Sequence, residues 1–264
     1  MEKNTIALLY DFDKTLSTRD MQEFGFLKDI IHQSPADFWQ QVNAFTKANQ
    51  ADPILSYLWL MLLKAREQGI CITRELLQKT GQTIEFFPGV LDWFELVNQQ
   101  AQARGLQLEH YILSSGLCEI IEGTPIGKYF KRIYGCEYCY DKNGAAFWPK
   151  TMVNYTVKTQ YLYRINKGIL DLSDPRDINA YMPYGQRRIG FSQMVYIGDG
   201  LTDVPCMRLV KENGGIAIAV YAQKSEDIAK ELLAQNRVKS AVPADYRKDA
   251  PLYGIVMQLL DSLK

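Results

Sequence analysis

The segment Asp11-Phe12-Asp13-Lys14-Thr15-Leu16 closes a short apolar run, Ile6–Tyr10, and sets two carboxylates at alternate positions. In extended chain, residues two apart face the same way, so both acids point past the end of one strand. Like charges so placed repel unless a cation lies between them or one acid keeps its proton. A second acidic turn, Gly198-Asp199-Gly200-Leu201-Thr202-Asp203, follows the strand-like Gln193–Ile197. Its glycines are expected to let the backbone turn tightly around Asp199, and Thr202 to cap the helix that follows. After Leu108–Leu113 comes Ser114-Ser115-Gly116, a hydroxyl beside main-chain N–H groups ahead of a helix. That pattern suits an anion, and equally a helix cap. Lys158 stands near a helix start, with Lys150 and Lys167 as alternative cations. Acids, a hydroxyl and a lysine are the makings of a site for a metal ion and an anionic group.

These residues need strand ends to hold them. Ile6–Tyr10 is short and unbroken, as a buried parallel strand is. From about Met21 to Gln82 the pattern is helical throughout, and Ile54, Leu55, Leu58, Leu62 and Ala65 fall on one face of a helix widened by Trp59, Met61 and Leu63. After Pro88-Gly89 strands and helices alternate. Helices are expected over Val90–Val97 (closing near Gly105), Asn154–Ile165, Asp203–Lys211, Glu226–Leu233 and Leu252–Leu263. Strands are expected at Leu108–Leu113, Arg132–Tyr138, Ala146–Val153, Gln193–Ile197 and Ile216–Val220. The alternation predicts an α/β fold with a parallel sheet covered on both faces and an inserted all-helical stretch.

Composition narrows the class. Thirty basic and thirty acidic side chains cancel, which gives no field for a polyanion and excludes nucleic acid as the expected partner. Two histidines, His32 and His110, rule out a multi-histidine metal site. Five cysteines, an odd number, point to a reducing compartment. Cys136 and Cys139 form the lone C-x-x-C pair inside a strand-like stretch, which favours a structural role over a bound metal. No run approaches the roughly 20 apolar residues of a membrane helix, and the expected location is the cytoplasm.

Taken in order, Asp11-Phe12-Asp13-Lys14-Thr15, Ser114-Ser115-Gly116, Lys158 and Gly198–Asp203 resemble the motifs of the haloacid dehalogenase-like superfamily. The phosphoserine-phosphatase-like branch is the most similar, and the resemblance spans Asp11 to Asp203. It implies a three-layer Rossmann-like core with a mainly parallel sheet, residues 1–16 and 86–264, and a helical cap domain, residues 17–85. It further implies Mg²⁺-dependent hydrolysis of a small-molecule phosphomonoester by a monomer or homodimer. Asp11 would be the nucleophile that becomes an aspartyl-phosphate, and Asp13 the general acid and base. The metal would be held by Asp11, Asp199 and the Asp13 carbonyl, with Asp203 orienting its waters or Lys158. Ser114 and Lys158 would hold phosphoryl oxygens, helped by Phe12, Thr15, Ser115 and Gly116. Asp20, shortly after the first motif, would meet a substrate amine. The dehalogenases of the superfamily lack the second acid, so Asp13 favours phosphoryl transfer.

Two rival readings remain. A D-x-D glycosyltransferase would use Asp11 and Asp13 but leaves Ser114, Lys158 and Asp199 without a task. A catalytically silent phosphate-binding protein would keep the fold and lose turnover. Asp20 and Glu23 also read as helix-start charges favoured by the dipole. Phe24, Phe26, Phe38, Trp39 and Phe45 read as core before pocket. The irregular stretch Gly168–Gly190, with Asp171, Asp174-Pro175, Asp177, Tyr181, Tyr184, Arg187 and Arg188, reads as a surface loop or as a contact for an anionic substrate or partner chain.

Overall fold

The computed structural model describes residues 4–174, 178–222 and 225–262, so Pro175, Asp177 and Leu263 of the expectations above lie outside the described residues. The first strand, β1 (Thr5–Tyr10), is buried at all six positions, as its unbroken apolar sequence demands. It is the middle of a seven-stranded sheet with β2 (Gln107–Leu117), β3 (Phe130–Tyr140), β4 (Ala146–Thr151), β5 (Met194–Gly198), β6 (Ile216–Tyr221) and β7 (Ser240–Pro243). The order is β4-β3-β2-β1-β5-β6-β7. Every pairing is parallel except β3 with β4, an antiparallel hairpin at one edge. The chain therefore leaves β1 in opposite directions, to β2 on one side and β5 on the other. Such a reversal opens a crevice beyond the carboxyl ends of the strands.

Nine α-helices are described: α1 (Pro35–Asn49), α2 (Pro53–Glu67), α3 (Arg74–Gly81), α4 (Val90–Gln102), α5 (Cys118–Glu122), α6 (Val157–Lys167), α7 (Val204–Glu212), α8 (Glu226–Ala234) and α9 (Pro251–Ser262). The expected α/β architecture, a mainly parallel sheet with flanking helices and a helical insertion, is the observed one.

The insertion begins where Phe87 donates its N–H to the Leu16 carbonyl at 3.0 Å and Thr18 to Glu85 at 2.9 Å. Its helices start as their sequences direct. Ser34 caps α1, Asp52 caps α2 with bonds to Ile54 and Leu55, and Thr73 caps α3; Pro35 and Pro53 stand in first turns. Ahead of α1 lie a 3₁₀ turn, Met21–Glu23, and a π turn, Phe26–Ile30. The insertion is tied to the core by Tyr57 Oη to the Ser115 carbonyl (2.6 Å), Tyr138 Oη to Leu58 (2.7 Å) and Asn154 Nδ2 to Asp52 (3.1 Å).

Several expectations shift. Leu55 and Trp59 of α2 are exposed, and its buried residues are Ser56, Tyr57, Leu58, Leu60, Met61, Leu62 and Ala65. β2 does not stop at Leu113: it runs on to Leu117 through a register shift that absorbs Ser114–Gly116. α6 starts at Val157, where Asn154 Oδ1 accepts the N–H at 3.1 Å, rather than at Asn154 itself. The four-residue β7 carried too little pattern to be anticipated.

Candidate active site

The carboxyl ends of β1, β2 and β5 deliver Asp11, Ser114 and Asp199 to one place. Asp11 follows β1 directly and its N–H bonds the Ile197 carbonyl of β5 at 2.9 Å. Lys158, in the first turn of α6, is 1% exposed. Its Nζ lies 3.0 Å from Asp11 Oδ1 and 2.8 Å from Asp203 Oδ1. Of the three lysines left open by the sequence, this is the one the fold brings to Asp11. Lys150 instead pairs with Glu137 on the surface, and Lys167 donates to the carbonyls of Ile178 and Ala180.

Asp203 is fully buried and held from three sides: by Lys158, by Tyr196 Oη at 2.7 Å, and by the Gly200 N–H at 3.4 Å. The glycines of this turn act differently from the expectation. Neither Gly198 nor Gly200 has a positive φ. A Cβ on Gly198 would lie 2.5 Å from Asp203 Oδ2, so glycine is needed there for close approach. Thr202 is not a cap either; the chain makes a 3₁₀ turn over Leu201–Asp203, and Thr202 faces the cavity.

A cavity of about 360 Å³ opens over these groups. Asp11, Asp13, Asp20, Ser114, Ser115, Lys158 and Asp199 of the expected set line it. Ser114 Oγ accepts the Gly116 N–H at 3.0 Å, which removes that N–H from any anion. Ser115 has an enclosed hydroxyl with no hydrogen-bond partner among the described residues. Gly116 lies behind the wall, where a Cβ would meet Met21 Cε at 2.1 Å. Phe12 is buried against Phe86, and Thr15 is buried with its hydroxyl 3.5 Å from Asp199 Oδ1, so Thr15 steadies an acid and does not line the cavity. Asp13 Oδ1 accepts the Met21 N–H at 2.8 Å, and Asp20 is bound to Lys14 at 2.6 Å.

No family model matches the sequence. An uncharacterized protein of Borreliella burgdorferi is 29% identical over 283 residues, covering 97% of this chain and 96% of its own length. Among solved structures, a HAD family hydrolase of Salmonella enterica serovar Typhi superposes with a TM-score of 0.60 at 13% identity, covering 92% of this chain and 68% of the other. A phosphoserine phosphatase in apo form superposes at 0.55 with 14% identity, covering 92% and 96%. A cytosolic 5′-nucleotidase IIIB bound to cytidine superposes at 0.54 with 14% identity, covering 99% and 86%. The fold is the haloacid dehalogenase-like fold.

Within that haloacid dehalogenase-like frame the electrostatics are lopsided. Burial pushes Asp11 up to about 7; Lys158 offsets part of that rise, and the Asp203 charge adds to it. Burial together with Asp203 and Asp11 pushes Asp199 up to about 8. Asp13 is raised well above the usual carboxylate range by burial, Asp20 and Asp11. Burial works against the Lys158 charge, yet Asp11 and Asp203 more than restore it. Oxygens of Asp11, Asp199 and Asp203 lie within 4.8 Å of one another. An all-oxygen acidic set with a deficit of positive charge fits a hard divalent cation such as Mg²⁺. Because Asp203 spends its oxygens on Lys158, Tyr196 and Gly200, Asp11 and Asp199 are the acids with capacity to spare.

Other expectations land elsewhere. Phe24, Phe26 and Phe38 are core, Phe45 packs partly buried against that core, and Trp39 donates to Glu23 at 3.1 Å. Cys136, inside β3, donates to the Ser115 carbonyl and accepts from the Val153 N–H, a structural role. Arg188 is paired with Glu109 of β2. Lys14, Ile54, Tyr155, Leu201 and Ile228 line the cavity and were missed. Lys14, a charge inside the first motif with no task assigned to it, was a signal in the sequence for one of them; the others are brought in by tertiary packing.

Proposed function

We propose that this protein is a phosphatase that hydrolyses a small-molecule phosphomonoester with the help of Mg²⁺. The observation that carries this reading is the buried Lys158 held between Asp11 and Asp203, with Asp199 beside them at the end of β5. The likeness to HAD-fold hydrolases supports it.

In this reading residues 17–85 form a cap over the site. Asp11 and Asp199 supply carboxylate oxygens to the cation, together with the Asp13 carbonyl that the motif resemblance implies. Bound there, Mg²⁺ would neutralise the phosphate and the carboxylates around it. Lys158 and the Ser114 hydroxyl grip phosphoryl oxygens, aided by main-chain N–H groups at Phe12 and Ser115. Asp203 keeps Lys158 charged and aimed. A carboxylate oxygen of Asp11 attacks phosphorus while the bond to the ester oxygen breaks, and Asp13 gives that oxygen its proton. Asp13, now a carboxylate, takes a proton from water; the water oxygen attacks phosphorus, the Asp11–phosphorus bond breaks, and inorganic phosphate leaves.

The test is phosphate release from an aryl phosphate with Mg²⁺ or with a chelator. Release that needs the metal and is abolished in Asp11→Asn is the expected result. Undiminished release from Asp11→Asn would overturn the nucleophile. A wild-type protein that binds inorganic phosphate and releases none from any ester would favour the silent binding protein.

A further inference from the structure

The floor and the rim of the cavity differ in kind. Its floor is charged, whereas its rim carries Ile54 from the first turn of α2, Tyr155 from the loop before α6, Leu201 from the turn before α7, and Ile228 from α8. Three of these are large apolar side chains left in solvent: Tyr155 is 41% exposed, Leu201 65% and Ile228 39%. Single exposed apolar residues are ordinary, but four converging from separate elements on one mouth mark a ligand surface.

The charges of the wall point the same way. Asp11, Asp13, Asp20 and Asp199 stand against two lysines, and both lysines are engaged. Lys158 is held by Asp11 and Asp203, and Lys14 by Asp20 at 2.6 Å. A leaving group bearing a carboxylate therefore meets no available cation among the described lining residues. One bearing an ammonium finds Asp20 already paired. Beside the charged groups and Ser114 the lining offers the hydroxyls of Thr202 and Tyr155 and the enclosed one of Ser115, few for a polyol. An uncompensated charge moved into such a site loses its hydration without return.

We infer that the substrate's leaving group is an uncharged, ring-bearing body that lies against Tyr155, Ile54, Leu201 and Ile228. Its phosphate sits on the charged floor. This inference rests on the phosphatase reading above and adds the class of ester, an aryl or nucleoside monophosphate in place of a phosphoamino acid or a phosphorylated polyol. Tyr155 and Leu201 are the specificity-determining contacts. The Lys14–Asp20 pair excludes zwitterions by satisfying itself.

The test is kcat/KM of the full chain with Mg²⁺ on four esters: an aryl phosphate, a nucleoside 5′-monophosphate, O-phosphoserine and glycerol 3-phosphate. At least one ring-bearing ester is expected to exceed both others by about tenfold or more, the discrimination a few apolar contacts provide. Whichever ring-bearing ester leads names the source. In Tyr155→Ala and Leu201→Ala that ratio is expected to collapse, mainly through KM; both side chains are exposed enough to be removed without unfolding the chain. In Lys14→Met the released Asp20 is expected to raise phosphoserine relative to the ring-bearing esters. Turnover with phosphoserine or glycerol 3-phosphate equal to or above the ring-bearing esters would overturn the inference and leave the phosphatase reading standing. Metal-dependent release from none of the four overturns the phosphatase reading, and this inference with it.

Discussion

Toward the start of β2, Glu109 is gripped by Arg188 at 2.5 Å and by Lys131, and the Tyr111 hydroxyl adds a bond at 2.6 Å. Past the far end of the neighbouring β1, three carboxylates share the single cation of Lys158. Glu109 in the first and Asp11 and Asp203 in the second are buried, and both clusters hang on central strands. In the first, two cations serve one acid; burial pushes Glu109 up, but Arg188, Lys131 and Tyr111 hold it down at about 2. In the second, Asp11 rises to about 7. The first cluster is complete in itself, and it fastens the segment bearing Arg188 to the sheet. The second is short of positive charge, the deficit that the proposed cation would fill.

Between the two clusters, the larger effect on rate should come from removing the shared cation. Lys158→Met is expected to cut metal-dependent phosphate release by about 10²–10³-fold, the usual cost of losing one donor to transition-state charge. Steady-state rates at saturating Mg²⁺ decide this, and an unaffected rate would erase the contrast between the clusters. At the other cluster, Arg188→Met should leave the rate within about twofold. It should lower unfolding free energy by about 1–3 kcal/mol, because a buried carboxylate loses a charged partner. Denaturant titration of wild type and variant measures it.

Acid should separate the regions more finely. Burial lowers His110 to about 3. It lies between the Tyr10 hydroxyl at 3.2 Å and Asn98 Oδ1 at 3.1 Å. The fold keeps its imidazole neutral while the unfolded chain protonates it, so its contribution is full above about pH 6.5 and is lost as pH falls toward about 3. Glu109 adds a loss in the same direction at lower pH, from about 4.5 through about 2, because the fold keeps it ionised. Between about pH 6 and pH 4, wild-type stability should fall about 1.4 kcal/mol per pH unit more steeply than that of His110→Gln. Equal slopes would mean that His110 is protonated in the fold.

Much of the site could be read before the fold was known, because its residues sit at strand ends where local pattern and chemistry coincide. Asp11 and Asp199 belong to this group, whereas Lys158, in the first turn of α6, stood beside Lys150 and Lys167 as alternatives until the fold brought it to Asp11. What could not be read depends on contacts between distant segments. The Thr15 hydroxyl reaches Asp199 across 184 positions, and Tyr57 of the insertion reaches the Ser115 carbonyl across 58. No spacing rule links such pairs. Ser114-Ser115-Gly116 read as an anion site or a helix cap beyond a strand ending at Leu113, yet tertiary pairing carries β2 on to Leu117 with a register shift between Leu113 and Leu117. The rim of Tyr155, Leu201 and Ile228 was hidden for the same reason, since single apolar residues in loops acquire meaning when packing brings them to one mouth.

The central claim is that Asp11 takes the phosphoryl group. The direct measurement is acid quenching of the wild-type protein during turnover with Mg²⁺ and an aryl phosphate, followed by peptide mass mapping. A phosphoryl group on the peptide bearing Asp11, absent from Asp11→Asn, is the predicted result. Steady turnover with that peptide unmodified, or with the phosphoryl group on another side chain, would contradict the account.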